Sequence, residues 1–197
     1  MVIVKNRDAT DNWIIYHEFD NATPESGFML FTTSAFYADA RAWGGPIGAG
    51  SGTQPSSTVV TIGANNSGVG YTNGNGNKYI AYCFHSVDGF SKFGKYTGNG
   101  STDGPFVYTG FRPAFVMIKR SDAADNWVLL DSGRNPYNVV NARLFADLAQ
   151  ADGTTDSCDF TSNGFKVKTT ASWINASSGT LIFMAFAEMP FKYANAR

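Results

Sequence analysis

The chain carries one motif twice, and this duplication limits its possible folds more than any other feature. The segment FVMIKRSDAADNWVLL, residues 115–130, aligns without a gap with MVIVKNRDATDNWIIY, residues 1–16. Farther along, LIFMAF at residues 181–186 corresponds to YIAYCF at residues 79–84. A tandem duplication predicts two copies of one structural unit, each with its own apolar face to bury.

The two copies are assigned to residues 1–88 and 89–197. Residues 88–113 contain too many aromatic side chains for a linker, and we interpret them as the opening strands of the second copy. Nothing equivalent precedes Met1, so the first copy is expected to lack its leading strands. Either the chain is a fragment of a longer array, or a neighbouring subunit or the C-terminal tail, residues 191–194, covers the open sheet edge.

Periodicity and composition predict strands. With 21 glycines, 15% aromatic and 16% charged residues, the composition is typical of a turn-rich globular protein. Residues 165–169 alternate apolar and polar side chains, as in an antiparallel sheet with one buried face, and residues 59–62 are the expected counterpart. We therefore predict an all-β fold of two tandem antiparallel β-sandwich repeats.

Local sequence signals also predict two turns, one short helix and a core position that both copies share. Asn-Gly repeats at residues 73–77 favour a tight turn, and residues 177–179 occupy the same place in the second copy, which predicts a hairpin in each. Residues 141–150 have helical spacing and predict a short helix. Trp13 and Trp127 are equivalent in the two copies and are assigned to the core.

The charge balance excludes two classes of partner. Fifteen basic and sixteen acidic residues give a net charge of −1, which offers no field for capturing nucleic acid or an anionic membrane surface. No segment approaches the roughly 20 apolar residues of a membrane helix, and the N-terminal residues do not form a signal peptide. Cys83 and Cys158 occupy non-equivalent positions, so we expect free thiols in a protein made in a reducing cytoplasm.

No residue pattern predicts catalysis. His17 corresponds to Asp131 and His85 to Ala187, so neither histidine belongs to a constellation shared by the copies. No nucleophile elbow, phosphate loop or metal-ligand cluster accompanies either histidine. We therefore predict that the chain is not an enzyme, has no catalytic residues, holds no metal and needs no cofactor.

Four aspartates are matched between the copies in the loop after the first shared strand. Carboxylates in such a loop can satisfy the backbone as Asx-turns, or they can ligate calcium through hard oxygens. We favour the turn interpretation because a loop there needs such residues in any case. These residues are Asp8, Asp11, Asp122 and Asp125.

Aromatic residues supply the candidate binding site. Residues 71–73 (Tyr-Thr-Asn) correspond to residues 173–175 (Trp-Ile-Asn), and both precede the predicted turns. An exposed ring stacks on the C–H face of a sugar while a neighbouring amide exchanges hydrogen bonds with its hydroxyls. We favour the alternative, in which these rings plug the end of the barrel or sandwich. Trp43 has no clear counterpart in the other copy and fits either role. The candidate ligand-binding residues are Tyr71, Asn73, Trp173, Asn175 and Trp43.

Two long segments resemble a known group of proteins. Residues 79–119 (YIAYCFHSVDGFSKFGKYTGNGSTDGPFVYTGFRPAFVMIK) and residues 183–197 (FMAFAEMPFKYANAR) resemble the C-terminal tandem repeats of large virion proteins of marine tailed bacteriophages. The resemblance covers nearly all of the chain and implies a structural or tail-associated role. It also implies a location in the virion after synthesis in the host cytoplasm.

Taken with this resemblance, the sequence patterns predict two tandem jelly-roll, lectin-like sandwiches. The resemblance implies that they form a non-enzymatic virion module for structure and adhesion, such as a tail fibre or surface appendage with weak glycan binding. The expected partners are further copies of the chain, with a trimer favoured, other virion proteins and host surface glycans. The alternative is a capsid decoration or cement protein that contacts only other virion proteins. Solvent-open rings of Tyr71 and Trp173 would favour the glycan site, and buried rings the purely structural role.

Overall fold

The structure is a computed structural model that describes residues 1–19, 23, 27–45, 52–63 and 71–189. The chain divides into two compact units, Met1–Phe84 (unit 1) and His85–Arg197 (unit 2), a few residues before the boundary predicted at residue 88. Every strand pair in the described residues is antiparallel, and the helices there are a single turn each. The predicted all-β class is confirmed.

Unit 1 contains one antiparallel sheet in its described part. Its strands are β1 (Val2–Asn6), β2 (Ile14–Tyr16), β3 (Met29–Leu30) and β4 (Tyr79–Cys83). The order across the sheet is β3-β2-β1-β4, so the last strand of the unit pairs with its first. Between β3 and β4 in sequence lies a 3-10 helix, Ala40–Trp43, which ends at Gly44 with a left-handed φ of 79° that glycine adopts without strain.

The 3-10 helix covers the core face of the unit 1 sheet. Trp43 is fully buried, and its indole Nε1 donates a hydrogen bond to the carbonyl of Gly27 at 2.8 Å. Burial of the large indole is therefore not opposed by an unsatisfied polar atom. The buried cluster consists of Val2, Val4, Ile14, Tyr16, Phe28, Ala42 and Trp43.

Unit 2 contains two antiparallel sheets and one short helix. Its strands are β5 (Ser91–Thr97), β6 (Phe106–Tyr108), β7 (Pro113–Arg120), β8 (Trp127–Asp131), β9 (Leu144–Phe145), β10 (Cys158–Thr161), β11 (Gly164–Val167) and β12 (Thr180–Ala187), and the helix is α1 (Ser172–Asn175). The larger sheet has the order β5-β12-β7-β8-β9, and the smaller has the order β10-β11-β6.

The core of unit 2 lies between its two sheets. Phe160 and Phe165 from the smaller sheet are fully buried, and they belong to the same cluster as Val116, Leu181 and Phe183 from the larger one. The ring of Phe165 meets that of Phe183 edge-on, with centroids 5.7 Å apart. Alternation along β11 explains this packing, because its apolar side chains point to one face of the strand.

The two units share one sheet order. In unit 2, β9-β8-β7-β12 repeats the sequence of pairings that β3-β2-β1-β4 makes in unit 1. The larger sheet of unit 2 then continues with β5, whereas no strand among the described residues lies beyond β4 in unit 1. The duplicated sequence therefore encodes the same four-stranded arrangement twice.

Two pairs of matched hydrogen bonds recur in the loops that carry the four matched aspartates. Lys5 Nζ donates to the carbonyl of Asp11 at 2.9 Å, and its counterpart Lys119 Nζ donates to the carbonyl of Asp125 at 2.6 Å. Asp8 Oδ2 accepts from the Lys78 backbone N–H at 2.7 Å, and its counterpart Asp122 Oδ1 accepts from Thr180 N–H at 3.2 Å. Asp8 thus ties the loop after β1 to the start of β4, and Asp122 ties the loop after β7 to the start of β12. These two carboxylate bonds reach a distant strand and are not the local Asx-turns that the sequence predicts.

Several local predictions were wrong. Residues 59–62 form no strand, and Val59 and Ile62 are exposed. Residues 141–150 form no helix, because Leu144 and Phe145 pair with β8 as β9. The turn at residues 177–179 leads from α1 into β12 and does not join two strands of one sheet, so the predicted hairpin is absent there.

The tryptophan and cysteine predictions have mixed outcomes. Trp127 is buried as predicted, whereas Trp13 is only half-buried and lies between Phe31 and the exposed Tyr82. Both cysteines, exposed Cys83 and buried Cys158, are free thiols, and burial raises the pKa of the Cys158 thiol far above its ordinary value. In the described part of the chain, no helix is both long enough and apolar enough to span a bilayer.

Candidate functional site

In unit 2, the predicted aromatic residue Trp173 lies in α1 with part of its ring already covered. The Phe145 ring meets the indole edge-on with centroids 5.8 Å apart, and the guanidinium of Arg143 lies 5.3 Å from the indole centroid. The same guanidinium lies 5.2 Å from the Phe145 ring. A cation so placed is attracted to the face of the ring that a sugar would otherwise stack on.

Its neighbour Asn175 is fully buried and organises a loop. Asn175 Nδ2 lies within hydrogen-bond distance of the carbonyls of Thr169 and Ser101, each at 2.7 Å, and its Oδ1 accepts from Asn99 N–H at 2.8 Å. With both ends of the amide engaged inside the unit, none of its hydrogen-bonding capacity faces a ligand. Asn175 is thus placed as a structural residue that fixes the turn after β5.

In unit 1, Tyr71 has a comparable environment. The Phe28 ring lies 4.7 Å from the Tyr71 centroid, and the Arg41 guanidinium lies 5.7 Å from it. Arg41 also hydrogen-bonds the Asp39 carboxylate through Nε and Nη2, and this contact lowers the pKa of Asp39. Burial and the nearby Asp39 carboxylate raise the pKa of Tyr71.

The other two predicted residues differ completely in exposure. Asn73 is exposed at a turn two residues after Tyr71. Trp43 is fully buried in the core, where it packs edge-on against Tyr16 at a centroid distance of 5.6 Å. Of the five predicted residues, only Tyr71, Asn73 and Trp173 therefore reach solvent. Tyr71 and Asn73 belong to unit 1, and Trp173 belongs to unit 2.

A different surface of unit 2 is better shaped to hold a ligand. It is an open cleft of about 430 Å³ at the end of the unit where β5 begins and β6 ends. Tyr108, at the end of β6, is 64% exposed and offers its ring to the cleft. The cleft is lined by residues 86–89, 91–92 and 108–112, by Ser162 and by residues 188–189.

Charged groups border this cleft on more than one side. Arg112 Nε and Glu188 Oε2 form an ion pair 3.0 Å apart, and Lys92 contributes an ammonium group from β5. Some hydroxyls of the lining are already used: Thr109 Oγ1 donates to the Phe111 carbonyl, and Ser91 Oγ donates to the His85 carbonyl. An aromatic face beside fixed donors and acceptors matches the chemistry of a hydroxyl-rich ligand.

Sequence reasoning did not select these cleft residues, although one signal was present. In β6, Val107 is buried while Phe106 and Tyr108 are both exposed, which is the alternation of a strand with one apolar face inward. Two aromatic residues on the outward side of a short edge strand mark a surface. The contributions of residues 86–92 and 188–189 come from distant parts of the chain and only the fold brings them together.

Comparison with known proteins places the chain in a family. A family model described as a domain of unknown function, DUF7483, matches residues 1–190. The chain belongs to the DUF7483 family. The match extends across both units. No curated protein and no solved structure matches the chain.

The described residues of this DUF7483 chain also define where titratable groups lie relative to one another. No three His, Cys, Asp or Glu side chains among them are grouped so as to hold a metal ion. His17 is buried and its Nδ1 accepts from Phe19 N–H at 3.3 Å, whereas His85 is exposed. Neither histidine lines the cleft beside Tyr108.

Proposed function

We propose that this DUF7483 chain is a non-enzymatic structural and adhesive module of a tailed-phage particle, built as two tandem jelly-roll-like repeats. In this role it belongs to a tail fibre or another surface appendage and binds host glycans weakly through unit 2. The resemblance of its repeats to those of marine phage virion proteins supports the assignment to a particle. The observation that carries the binding role is the cleft in which the exposed Tyr108 ring stands beside Lys92 and the Arg112–Glu188 ion pair.

The proposed binding mode follows from the groups in the cleft. The Tyr108 ring stacks on the C–H face of a pyranose, while Lys92 and the Arg112–Glu188 pair exchange hydrogen bonds with its hydroxyls. An open, solvated site of this kind gives weak affinity at each copy. Presentation of several copies on one particle raises the overall affinity without new contacts, which favours a homo-oligomer, with a trimer as the simplest fibre-like arrangement.

A second function remains in competition, a decoration or cement protein that contacts only other virion proteins. The environments of Tyr71 and Trp173 favour it, because each ring is half-buried and has an arginine near its face. Rings held in this way stabilise the ends of the units and offer less area to a sugar than an open ring does.

A glycan array followed by saturation-transfer NMR on the purified chain tests the binding role. Tyr108→Ala is expected to remove the signal of any glycan that the chain binds, because it deletes the stacking surface. Tyr137→Ala is the matched control, since Tyr137 is 82% exposed and does not line the cleft. Glycan binding that survives Tyr108→Ala would exclude this cleft, and an empty array would favour the cement protein.

A further inference from the structure

The outer edge of β4 is built to accept another strand. Phe84 N–H donates to the Met1 carbonyl at 2.9 Å, and Arg7 N–H donates to the Lys78 carbonyl at 2.8 Å, which fixes the phase of the β1–β4 ladder. Since backbone groups alternate direction along a strand, those of Ala81 and Cys83 point away from β1. Among the described residues, no strand lies on that side. The side chains of Ile80 and Tyr82, in the same strand, are 38% and 42% exposed.

Unit 2 shows what such an edge binds. The counterpart of β4 is β12, where Phe183 and Ala185 occupy the positions of Ala81 and Cys83. Gly98 N–H donates to the Gly179 carbonyl, and Ala187 N–H donates to the Phe90 carbonyl, so the backbone groups of Phe183 and Ala185 point toward β5. The same edge is thus occupied by an antiparallel strand in one unit and unoccupied by any described strand in the other.

The sequence contains a second segment of the β5 type. Lys192-Tyr193 in the C-terminal tail corresponds to Lys92-Phe93 in β5, and the tail follows β12 as β5 follows β4. The tail, residues 190–197, lies outside the described residues. β5 does not pair with β4, the strand it follows, but with the equivalent strand of the next unit. A tail that pairs in the same way needs the corresponding edge of another unit, and the outer edge of β4 in a second copy offers that edge.

Side-chain sizes across the two pairings are complementary. Gly94 of β5 lies opposite Phe183, and a Cβ added at Gly94 would approach the Phe183 ring to 2.8 Å. In unit 1 the position of Phe183 is occupied by the exposed Ala81, which leaves room for a Cβ on the incoming strand. The tail has Ala194 where β5 has Gly94. Glycine is thus paired with the large residue and alanine with the small one.

We propose that residues 191–197 of one copy add to the outer edge of β4 in a second copy as an antiparallel strand. Ala194 then lies opposite Ala81, and Lys192 lies opposite Cys83. Backbone hydrogen bonds supply the affinity, as in other cases of strand addition to an exposed sheet edge. The contact joins different surfaces of the two copies, so it builds a ring or an open chain rather than a two-fold dimer. This contact between copies does not depend on which ligand the cleft of unit 2 binds.

Complementation between two variants tests the proposal in solution. A chain ending at residue 189 retains the β4 edge but has no tail, and Ala81→Pro retains the tail but removes the N–H that points outward. Light scattering behind a sizing column should show association for the unaltered chain, monomers for each variant alone, and a one-to-one heterodimer for their mixture. Ala81→Ser, which keeps the N–H, should associate like the unaltered chain.

Folding of the edge variants is checked by circular dichroism, because the Ala81 N–H takes no part in the ladder with β1. If Ala81→Pro does not fold, Cys83→Pro replaces it, since its N–H points in the same direction. A monomeric unaltered chain would overturn the proposal, including the case in which the tail pairs with β4 of its own chain. A mixture of the two variants that stays monomeric would overturn it equally.

Two further variants test the register of the pairing. Ala81→Phe should weaken association at least tenfold, because the ring meets the Cβ of Ala194, and adding Ala194→Gly should restore it by recreating the pair seen between β12 and β5. Lys192→Cys should form disulfide-linked oligomers through the exposed Cys83 of a second copy, whereas Phe191→Cys should not. Failure of the glycine rescue together with equal cross-linking of both cysteine variants would exclude this register.

Discussion

Units 1 and 2 have the same strand order in the sheet, but different elements pack on the buried face of that sheet. In unit 2 the larger sheet packs against a second sheet, and the core residues come from both. In unit 1 the corresponding face packs against the 3-10 helix that carries Trp43. The comparison shows that the duplicated motif specifies the strands and their order, while the cover over them is supplied by segments that the two copies do not share.

This difference in packing can be tested by removing one aromatic side chain that packs on the sheet in each unit, Trp43 in unit 1 and Phe165 in unit 2. Phe165→Ala and Trp43→Ala should each lower the free energy of unfolding by about 3–5 kcal/mol, because each deletes a fully buried aromatic side chain. Hydrogen exchange should assign the first effect to β6, β10 and β11 and the second to β1, β2 and β3. Tyr137→Ala, on the surface, should change stability by less than about 0.5 kcal/mol. A cost below about 1 kcal/mol for Trp43→Ala would show that the helix is not the cover of unit 1.

A smaller effect on stability is expected for a lysine hydrogen bond that both units make but bury to different extents. Lys119 is fully buried with Nζ on the Asp125 carbonyl, whereas Lys5 makes the equivalent bond to Asp11 in a partly exposed position. Lys119→Met should cost about 1.5–3 kcal/mol and Lys5→Met less than about 1 kcal/mol, as measured by urea denaturation. Equal costs would mean that burial does not determine the strength of this bond.

The two matched asparagines allow a similar test of the predicted site. Asn175→Ala should lower stability by about 1–3 kcal/mol, because it leaves Asn99 N–H and two carbonyls without their partner. Asn73→Ala should change stability by less than about 0.5 kcal/mol, since the side chain is exposed. Thermal denaturation followed by circular dichroism measures both. A large cost at Asn73 would reveal a structural role that its exposure does not suggest.

The smallest effect concerns acid sensitivity. The Arg41 guanidinium lowers the pKa of Asp39 in the folded chain, so the pair stabilises the fold fully above the unfolded pKa, about 3.9, and its contribution is lost as the pH falls through the folded pKa. Asp39→Asn should therefore be less stable than the unaltered chain by up to about 1 kcal/mol at neutral pH, with the gap closing below about pH 4. Asp122, whose pKa Arg120 lowers in unit 2, is more exposed and should give a smaller gap. A gap that persists at the lowest pH would exclude this ion pair as its cause.

Much of the strand content follows from the sequence because its signals are local. The repeated run at residues 1–16 contains β1 and β2, and the run at residues 115–130 contains most of β7 and β8. The alternation at residues 165–169 marks β11. Residues 59–62 have a similar apolar pattern but form no strand. In the described part of unit 1, Trp43 packs on the sheet face that the smaller sheet covers in unit 2, and the pattern of residues 59–62 contains no sign of this packing.

The candidate site was harder to predict because its members depend on long-range packing. Asn175 is buried by a loop that precedes it by more than seventy residues, as its bond to Asn99 shows. Trp173 lies in a helix of four residues without a side-chain cap, which leaves no periodic signal. Tyr108 was visible as an aromatic residue in the sequence, but its cleft is assembled from segments at both ends of unit 2.

The pairing of β1 with β4 has a consequence for synthesis on the ribosome. β1 is made before the other described strands of unit 1, yet its partner on one side is β4, the last strand of that unit. Until β4 has been made, the nascent chain exposes the edge of β1, and pairings between such distant residues form slowly. The interval between these two strands is therefore the period in which the nascent chain is most open to aggregation or to capture by a chaperone.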